Sequence, residues 1–364
     1  MNSSIQIGKI MGIPIKLHIT FLLIIPVFGY IFGNNPPGFG FSDIEPLWLR
    51  YTLGLSVALL LFACVLLHEL GHSYVAKKHG SNIQGITLFL FGGVSSLEDI
   101  PRNPKIEFKM ALAGPAISLL IGSILIIFFR ILNGDQQPGN PYLRMIGMMG
   151  YINIVLCIFN LIPAFPMDGG RVLRAILAGR MSYLNATRTA AYVGKMFSIF
   201  MGIFGFLTVT SGGFWFMLIA FFIYIGASEE EKSTQVSVTL ENVKINNIMS
   251  RDVKTVSSGM SIEELVDFMF RYKHMGYPVV DGTEIKGIVT FTDVQRVHKE
   301  ERKNITISDI MTKEIITLKE DDDAVRALKL MTTNNIGRII IIQDKKMIGI
   351  VSRTDILRSV QLLE

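Results

Sequence analysis

The sequence predicts a polytopic α-helical membrane domain, with about six transmembrane helices and a short membrane-associated β segment, followed by a soluble α/β domain. Three observations predict it. Half of the 364 residues are hydrophobic and the mean hydropathy is +0.43, more than a soluble chain of this length needs. The apolar residues crowd into the part before about Ile225, in runs near the roughly 20 residues a bilayer core requires. The remainder has ordinary soluble composition and carries one pattern twice.

The spans are expected at roughly 16–33, 51–76, 106–132, 142–163, 186–209 and 213–228. The first starts near Leu17 and lacks a small-residue cleavage site, so it reads as a span and not as a signal peptide. Asn153 and Asn160 fall inside the fourth. Polar groups at that depth are costly and point to a protein-lined or wet interior. Cys64 and Cys157 lie in apolar runs and read as small buried hydrophobes; two cysteines build neither a zinc ribbon nor a disulfide framework.

Loop charges set the orientation. Lys9 and Lys16 precede the first span. Lys77, Lys78, Arg102, Lys105 and Lys109 fall between or at the edges of the second and third, and Arg171, Arg174, Arg180 and Arg188 between or at the edges of the fourth and fifth. The opposite loops carry few cations: 34–50 holds Asp43, Glu45 and Arg50, and 210–213 holds no charge. The positive-inside rule then gives a multi-pass protein of the cell membrane with both termini cytoplasmic. The net charge of +5 comes without a dense Lys/Arg tract or aromatic–basic interleaving, which argues against a nucleic-acid partner.

The domains expected are 1–228 in the membrane, a polar linker over 229–242, and two soluble copies over 243–300 and 301–364. Asn247-Ile248-Met249-Ser250 recurs as Asp309-Ile310-Met311-Thr312, and Gly287–Asp293 recurs as Gly349–Asp355. In each copy an amphipathic helix precedes a β-rich run, a glycine turn, a short strand and a second helix. One copy is too small to bury much core, so the two are expected to pack as a pair.

The chemistry centres on His68-Glu69-Leu70-Gly71-His72, near the inner end of the second span. Positions i and i+4 share a helix face, so His68 and His72 can reach one metal ion together. Imidazole and carboxylate donors in tetrahedral geometry suit zinc, one ion per chain. Glu69 is placed to take a proton from attacking water instead of ligating. A structural polar cluster or a proton relay is the other reading of these five residues. A third ligand is needed, and Asp168 offers one, after Pro163 and Pro166 break the fourth span. Irregular backbone at membrane depth is tolerated where protein or water covers it. Asp168 could instead cap the helix it begins. Counted from Tyr51, His68 lies about 17 residues along, roughly 25 Å at 1.5 Å per residue, which places the site toward the cytoplasmic side.

H-E-L-G-H in a second span, paired with Asn160-x-x-Pro163-x-x-Pro166-x-Asp168-Gly169 after a fourth, resembles the site-2 protease family of intramembrane zinc metalloproteases (peptidase M50-like). The resemblance covers most of 1–228. It implies that His68, His72 and Asp168 ligate zinc, that Glu69 is the general base, and that Asn160 stabilises the oxyanion, for which an interhelical hydrogen bond is the bland alternative. The substrate would be a transmembrane protein or peptide met within the lipid bilayer and locally unwound for cleavage. Leu88–Ser96 is apolar, β-prone and too short to span. In the resembled family this region offers strand edges to an extended substrate; a re-entrant plug is the other reading. Ala113-Gly114-Pro115 resembles a family motif, but Ser118 stands where the family often has Asn, which favours helix packing through small residues. The glycines around Gly202, Gly205, Gly212 and Gly213 either flex to admit substrate or pack helices tightly.

The soluble repeat, over about 243–362, resembles a tandem of cystathionine-β-synthase-type (CBS) domains, each closed by G-h-h-[ST]-x-x-D. The resemblance implies an adenine nucleotide (ATP, ADP or AMP) as regulatory ligand. Asp293 and Asp355 would meet ribose hydroxyls, with Thr290 and Ser352 near ribose or phosphate. Each could instead cap the helix it precedes. Lys273, His274 and Arg338 could contact phosphate or lie on solvated surface. A homodimer through the CBS pair is the other role expected. The competing function is a CBS-regulated ion or metal transporter. It should show an inverted repeat among its spans, and none is seen.

Overall fold

The computed structural model describes residues 4–81, 83–89, 92–97, 102–133, 140–344 and 346–363. The chain divides into two compact units, Met1–Lys232 and Ser233–Glu364.

The first unit opens on strands, not on a span. β1 (Ser4–Ile10) and β2 (Ile13–His18) form an antiparallel hairpin. The turn at Met11–Gly12 has positive φ at both residues, a backbone that suits glycine and the twist of a hairpin. The first expected span therefore starts late: its helix, α1, is Ile19–Asn34. Residues 13–17 alternate in period two, with Ile13 and Ile15 buried, and that alternation specifies a strand where the apolar run suggested a helix. β2 pairs in parallel with β3 (Ile83–Phe89), which pairs antiparallel with β4 (Gly92–Leu97), giving a sheet ordered β1-β2-β3-β4. Ile13, Ile15, Ile86 and Leu88 from this sheet pack with Phe21, Phe62 and Leu70 of the helices beneath. Leu70 is the neighbour of Glu69, so the sheet sits directly on the helix that carries the histidines.

Four of the described helices are long and apolar enough to cross a membrane, against the six spans expected: α2 (Leu47–Lys78), α3 (Pro104–Asn133), α4 (Pro141–Asn160) and α6 (Tyr183–Leu207). α1 is apolar but has only 16 residues. Apolar side chains such as Leu120, Ile131, Phe206 and Leu207 are exposed on these helices, as lipid contact requires. The short α5 (Asp168–Ala178) lies between α4 and α6. α7 (Phe214–Thr239) follows α6 and continues well past residue 228, so most of the expected linker is helical. Gly205 and Gly213 serve close packing: a Cβ on Gly205 would stand 2.7 Å from the Gly213 carbonyl and 2.8 Å from the Met217 amide.

The second unit contains the two copies. In the first, α8 (Ile262–Tyr272) precedes β5 (Gly276–Asp281), β6 (Glu284–Thr290) and α9 (Phe291–Gln295). In the second, α10 (Ala324–Thr333) precedes β7 (Arg338–Gln343), β8 (Lys346–Ser352) and α11 (Arg353–Leu363). Each copy has its own apolar core, around Leu265, Val279 and Val289 in the first and Ala327, Ile339 and Val351 in the second. The repeated motifs cross over between copies. Ser250 exchanges backbone hydrogen bonds with Ile350 (2.9 and 3.0 Å), and Thr312 does so with Ile288 (2.9 and 3.0 Å). Gly287 and Gly349 leave room for that crossing, since a Cβ on either would meet the carbonyl of Thr312 or Ser250. Neither copy satisfies these backbone groups alone, which is why the pair forms one unit.

Candidate metal centre

His68 and His72 lie on one face of α2 with ring centroids 4.9 Å apart. Both face α5, whose first residue is Asp168. His68 Nε2 is 3.1 Å and His72 Nε2 3.2 Å from Asp168 Oδ2, and the two Nε2 atoms are 3.2 Å apart. Three donors in tetrahedral positions about 2.0–2.1 Å from a zinc ion would stand roughly 3.3 Å apart. The observed triangle, with sides of 3.1–3.2 Å, lies within about 0.2 Å of that spacing. Glu69 lies in the same cluster as His68 and His72.

Each imidazole is oriented from behind. His68 Nδ1 is 2.9 Å from Ser118 Oγ, and His72 Nδ1 donates to the Met110 carbonyl at 2.7 Å. Fixing Nδ1 in this way turns Nε2 toward the centre of the site. Met110 and Ser118 both belong to α3, and between them Gly114 faces the histidines: a Cβ there would overlap Nε2 of both rings. Gly71 brings the helices together, since its Cβ would stand 2.9 Å from the Ala113 carbonyl. Helix packing through small residues is thus how Ala113-Gly114-Pro115 is used, and what Gly114 packs against is the histidine pair. The sequence signal for Gly114 and Ser118 is the Ala-Gly-Pro triplet and the serine after it; Met110, which acts through its carbonyl, has none.

Asp168 does not cap α5. The N-cap residue is Met167, which gives no side-chain cap bond, and the Asp168 carboxylate is spent on the histidines. Gly169 and Gly170 permit this. A Cβ on Gly169 would collide with the Leu161 and Ile162 carbonyls, and one on Gly170 with the Ala164–Phe165 backbone. The broken segment after α4 therefore folds tightly under the start of α5. Asn160, the last residue of α4, donates from Nδ2 to the Leu156 carbonyl at 3.0 Å, a bond within its own helix. Asn153 is fully buried and likewise donates within α4, to Met149 O at 2.8 Å.

The expected nucleotide contacts lie in the second unit. Asp293 Oδ2 accepts from Thr290 N (2.9 Å) and Oγ1 (2.6 Å); Asp355 Oδ2 accepts from Ser352 N (2.9 Å) and Oγ (2.6 Å). All four residues are therefore engaged in helix-capping pairs. Lys273 and His274 are exposed. Arg338 is half-buried, burial pushes its guanidinium pKa down, and its Nη1 is buried without a hydrogen-bond partner.

Comparison with known proteins fits this division. The model of peptidase family M50 matches residues 56–141 and 131–201, and that of the CBS domain matches 245–300 and 307–362. A zinc metalloprotease of Methanocaldococcus jannaschii is 39% identical over 365 residues, covering 100% of this chain and 98% of that protein. The chain belongs to peptidase family M50. As an M50 member it is a zinc metalloendopeptidase of the site-2 protease type, with a tandem CBS pair at its C-terminal end, and the transporter reading is set aside. The stage IV sporulation protein FB of Bacillus subtilis is 26% identical, over 43% of this chain and 54% of that protein. Among solved structures, the site-2 protease from Methanocaldococcus jannaschii is 40% identical, covers 63% of this chain and 95% of that chain, and gives a TM-score of 0.45.

Proposed function

We propose that this M50 peptidase cuts peptide bonds within or beside transmembrane segments of other proteins, with His68, His72 and Asp168 as zinc ligands. The observation that carries this reading is the convergence, at 3.1–3.2 Å, of two imidazoles on a helix of bilayer length with the carboxylate that opens the short α5. When bound, zinc supplies Lewis acidity that makes water a nucleophile near neutral pH. Glu69 takes the proton of the attacking water and returns it to the departing amine. Asn160 donates to the oxyanion through the Nδ2 hydrogen that Leu156 does not use. The scissile segment leaves its helical form and adds as a strand beside β4, an edge of the four-stranded sheet that lies against α2. The cation-rich loops support cytoplasmic termini.

The test is cleavage of a transmembrane peptide in detergent by wild type and Glu69→Gln, with zinc content measured on both. The reading requires about one zinc per chain in each and cleavage only by wild type. Wild-type protein that folds without zinc, or unchanged cleavage by Glu69→Gln, would sink it.

A second reading is that the CBS pair binds an adenine nucleotide and regulates cleavage, alone or by bringing two chains together. The buried, unpartnered Nη1 of Arg338 favours it, because a guanidinium in that position gains from an anion such as phosphate. Thr290, Asp293, Ser352 and Asp355 would turn toward the ribose. Adding ATP, ADP or AMP to the same cleavage assay tests this: rates independent of all three exclude nucleotide control.

A further inference from the structure

We propose that Arg174 is a positioning residue for the metal centre, the hub of a charge clamp that fixes the helix carrying Asp168; the proposal rests on the protease reading above. α5 has only 11 residues and enters through the broken segment after α4. Something must hold its first residue against the histidines. Arg174 lies six residues beyond Asp168, about 9 Å along the helix at 1.5 Å per residue.

Its side chain is 2% exposed, yet every contact it makes reaches another element. Nε donates to Glu107 Oε1 at 2.7 Å and Nη2 lies 2.5 Å from the same oxygen. Nη1 donates to Glu230 Oε1 at 2.6 Å. The guanidinium carbon sits 5.0 Å from the ring centroids of both Phe165 and Tyr183. Phe165 belongs to the segment that leads into Asp168. Glu107 lies one helical turn before Met110, whose carbonyl orients His72. Glu230 lies on α7, the helix that runs on past the end of the first unit. One side chain thus ties the third ligand's helix to the helix that aims the other two ligands, and ties both to α7.

The chemistry explains the residue type. A planar guanidinium can bond two carboxylates and stack on two rings at once, which a lysine ammonium cannot. Glu107 is fully buried and its Oε2 has no hydrogen-bond partner, so its charge is balanced through Arg174. Loss of one member would leave an uncompensated buried charge. The sequence alone placed Arg174 among the loop cations that set orientation; the structure withdraws it from solvent.

A merely structural ion pair would affect folding and leave zinc affinity and kcat unchanged once the protein is folded. The experiment therefore measures zinc affinity by chelator competition, and kcat and KM separately on a transmembrane peptide, with the full-length protein in detergent. The variants are Arg174→Lys, Glu230→Gln and the neutral pair Glu107→Gln/Arg174→Met. Arg174→Lys is expected to weaken zinc binding by about tenfold to a hundredfold, the range for residues that support metal ligands, and to lower kcat with KM unchanged. Glu230→Gln should shift both in the same direction by less. The neutral pair leaves no buried charge and should fold, yet still bind zinc weakly. If Arg174→Lys does not fold, the neutral pair and Glu230→Gln, whose site is 31% exposed, carry the test. Wild-type zinc affinity and kcat in the folded variants would overturn the clamp. Wild-type protein that holds zinc without cleaving would refute the protease reading, and the zinc affinities would still decide the clamp; wild-type protein without zinc would overturn both.

Discussion

Acidic residues at the starts of helices do different work in the two units. Asp168 is the first residue of α5, and its carboxylate leaves the helix for two histidines while the cap position, Met167, gives no side-chain bond. Asp293 and Asp355 each stand three residues after a Thr or Ser, and their carboxylates turn back onto it. The turn position decides the use. From the third position a carboxylate reaches the N-cap amide, whereas from the first it points beyond the helix end. Here the membrane unit turns a carboxylate outward to two imidazoles of another helix; the soluble pair uses comparable atoms to finish its own backbone. Damage to the first should therefore appear in metal binding and turnover, and damage to the second in stability.

The largest effect is expected at Gly114. A methyl group there would occupy the space of the Nε2 atoms of both His68 and His72, and the neighbouring α3 backbone is packed against Gly71. Gly114→Ala should lose zinc and bring cleavage to background while the soluble unit unfolds as in wild type. Zinc content by elemental analysis, read beside the unfolding curve, checks this. A Gly114→Ala protein that keeps one zinc and cleaves normally would break the geometry of the site.

A smaller effect, of the opposite kind, is expected from Asp293→Ala and Asp355→Ala. Each removes a capping pair, which typically stabilises by about 0.5–2 kcal/mol. Thermal unfolding of the soluble unit should move down in both, with zinc content and basal cleavage unchanged. A loss of basal cleavage without a loss of stability would show that these carboxylates serve function first.

These pairs also mark how much could be read from the residues alone. His68, Glu69, His72 and Asp168 announce themselves because ionisable groups in an apolar run demand a reason. The repeat boundaries were legible because the copies share whole motifs. The choice between cap and other uses was not legible, since at Asp168 and Asp293 alike it depends on where the helix begins by a residue or two. Met110 could not be found at all: it acts through its carbonyl, and a backbone atom leaves no trace in residue identity. Ser118 and Gly114 were visible only as small residues in a span. The strands at 4–18 were hidden because Leu17 and His18 run without a break into an apolar helix, although Ile13 and Ile15 already alternate.

The finest distinction lies between the two soluble copies. β5 ends on Asp281 where the equivalent strand β7 ends on Gln343. The Asp281 carboxylate accepts from Ser258 Oγ (2.5 Å), Ser258 N (3.0 Å) and Ser257 Oγ (3.0 Å). Hydrogen bonding from the Ser258 side chain, then its amide, holds the Asp281 pKa below the usual carboxylate value. A carboxyl group lowered on folding stabilises the folded state fully above its unfolded pKa, about 3.9. That contribution disappears as pH falls through the lower folded value. Asp281→Asn should therefore have a flatter acid limb than wild type below about pH 4 and the same slope near neutrality. Thermal unfolding of the soluble unit across that range measures it. Asp309 and Glu264, likewise lowered by Thr306 and Ser261 amide donors, keep part of the slope in the variant. An unchanged acid limb would mean that these other caps, and not the Asp281 turn, set the response of the soluble unit to acid.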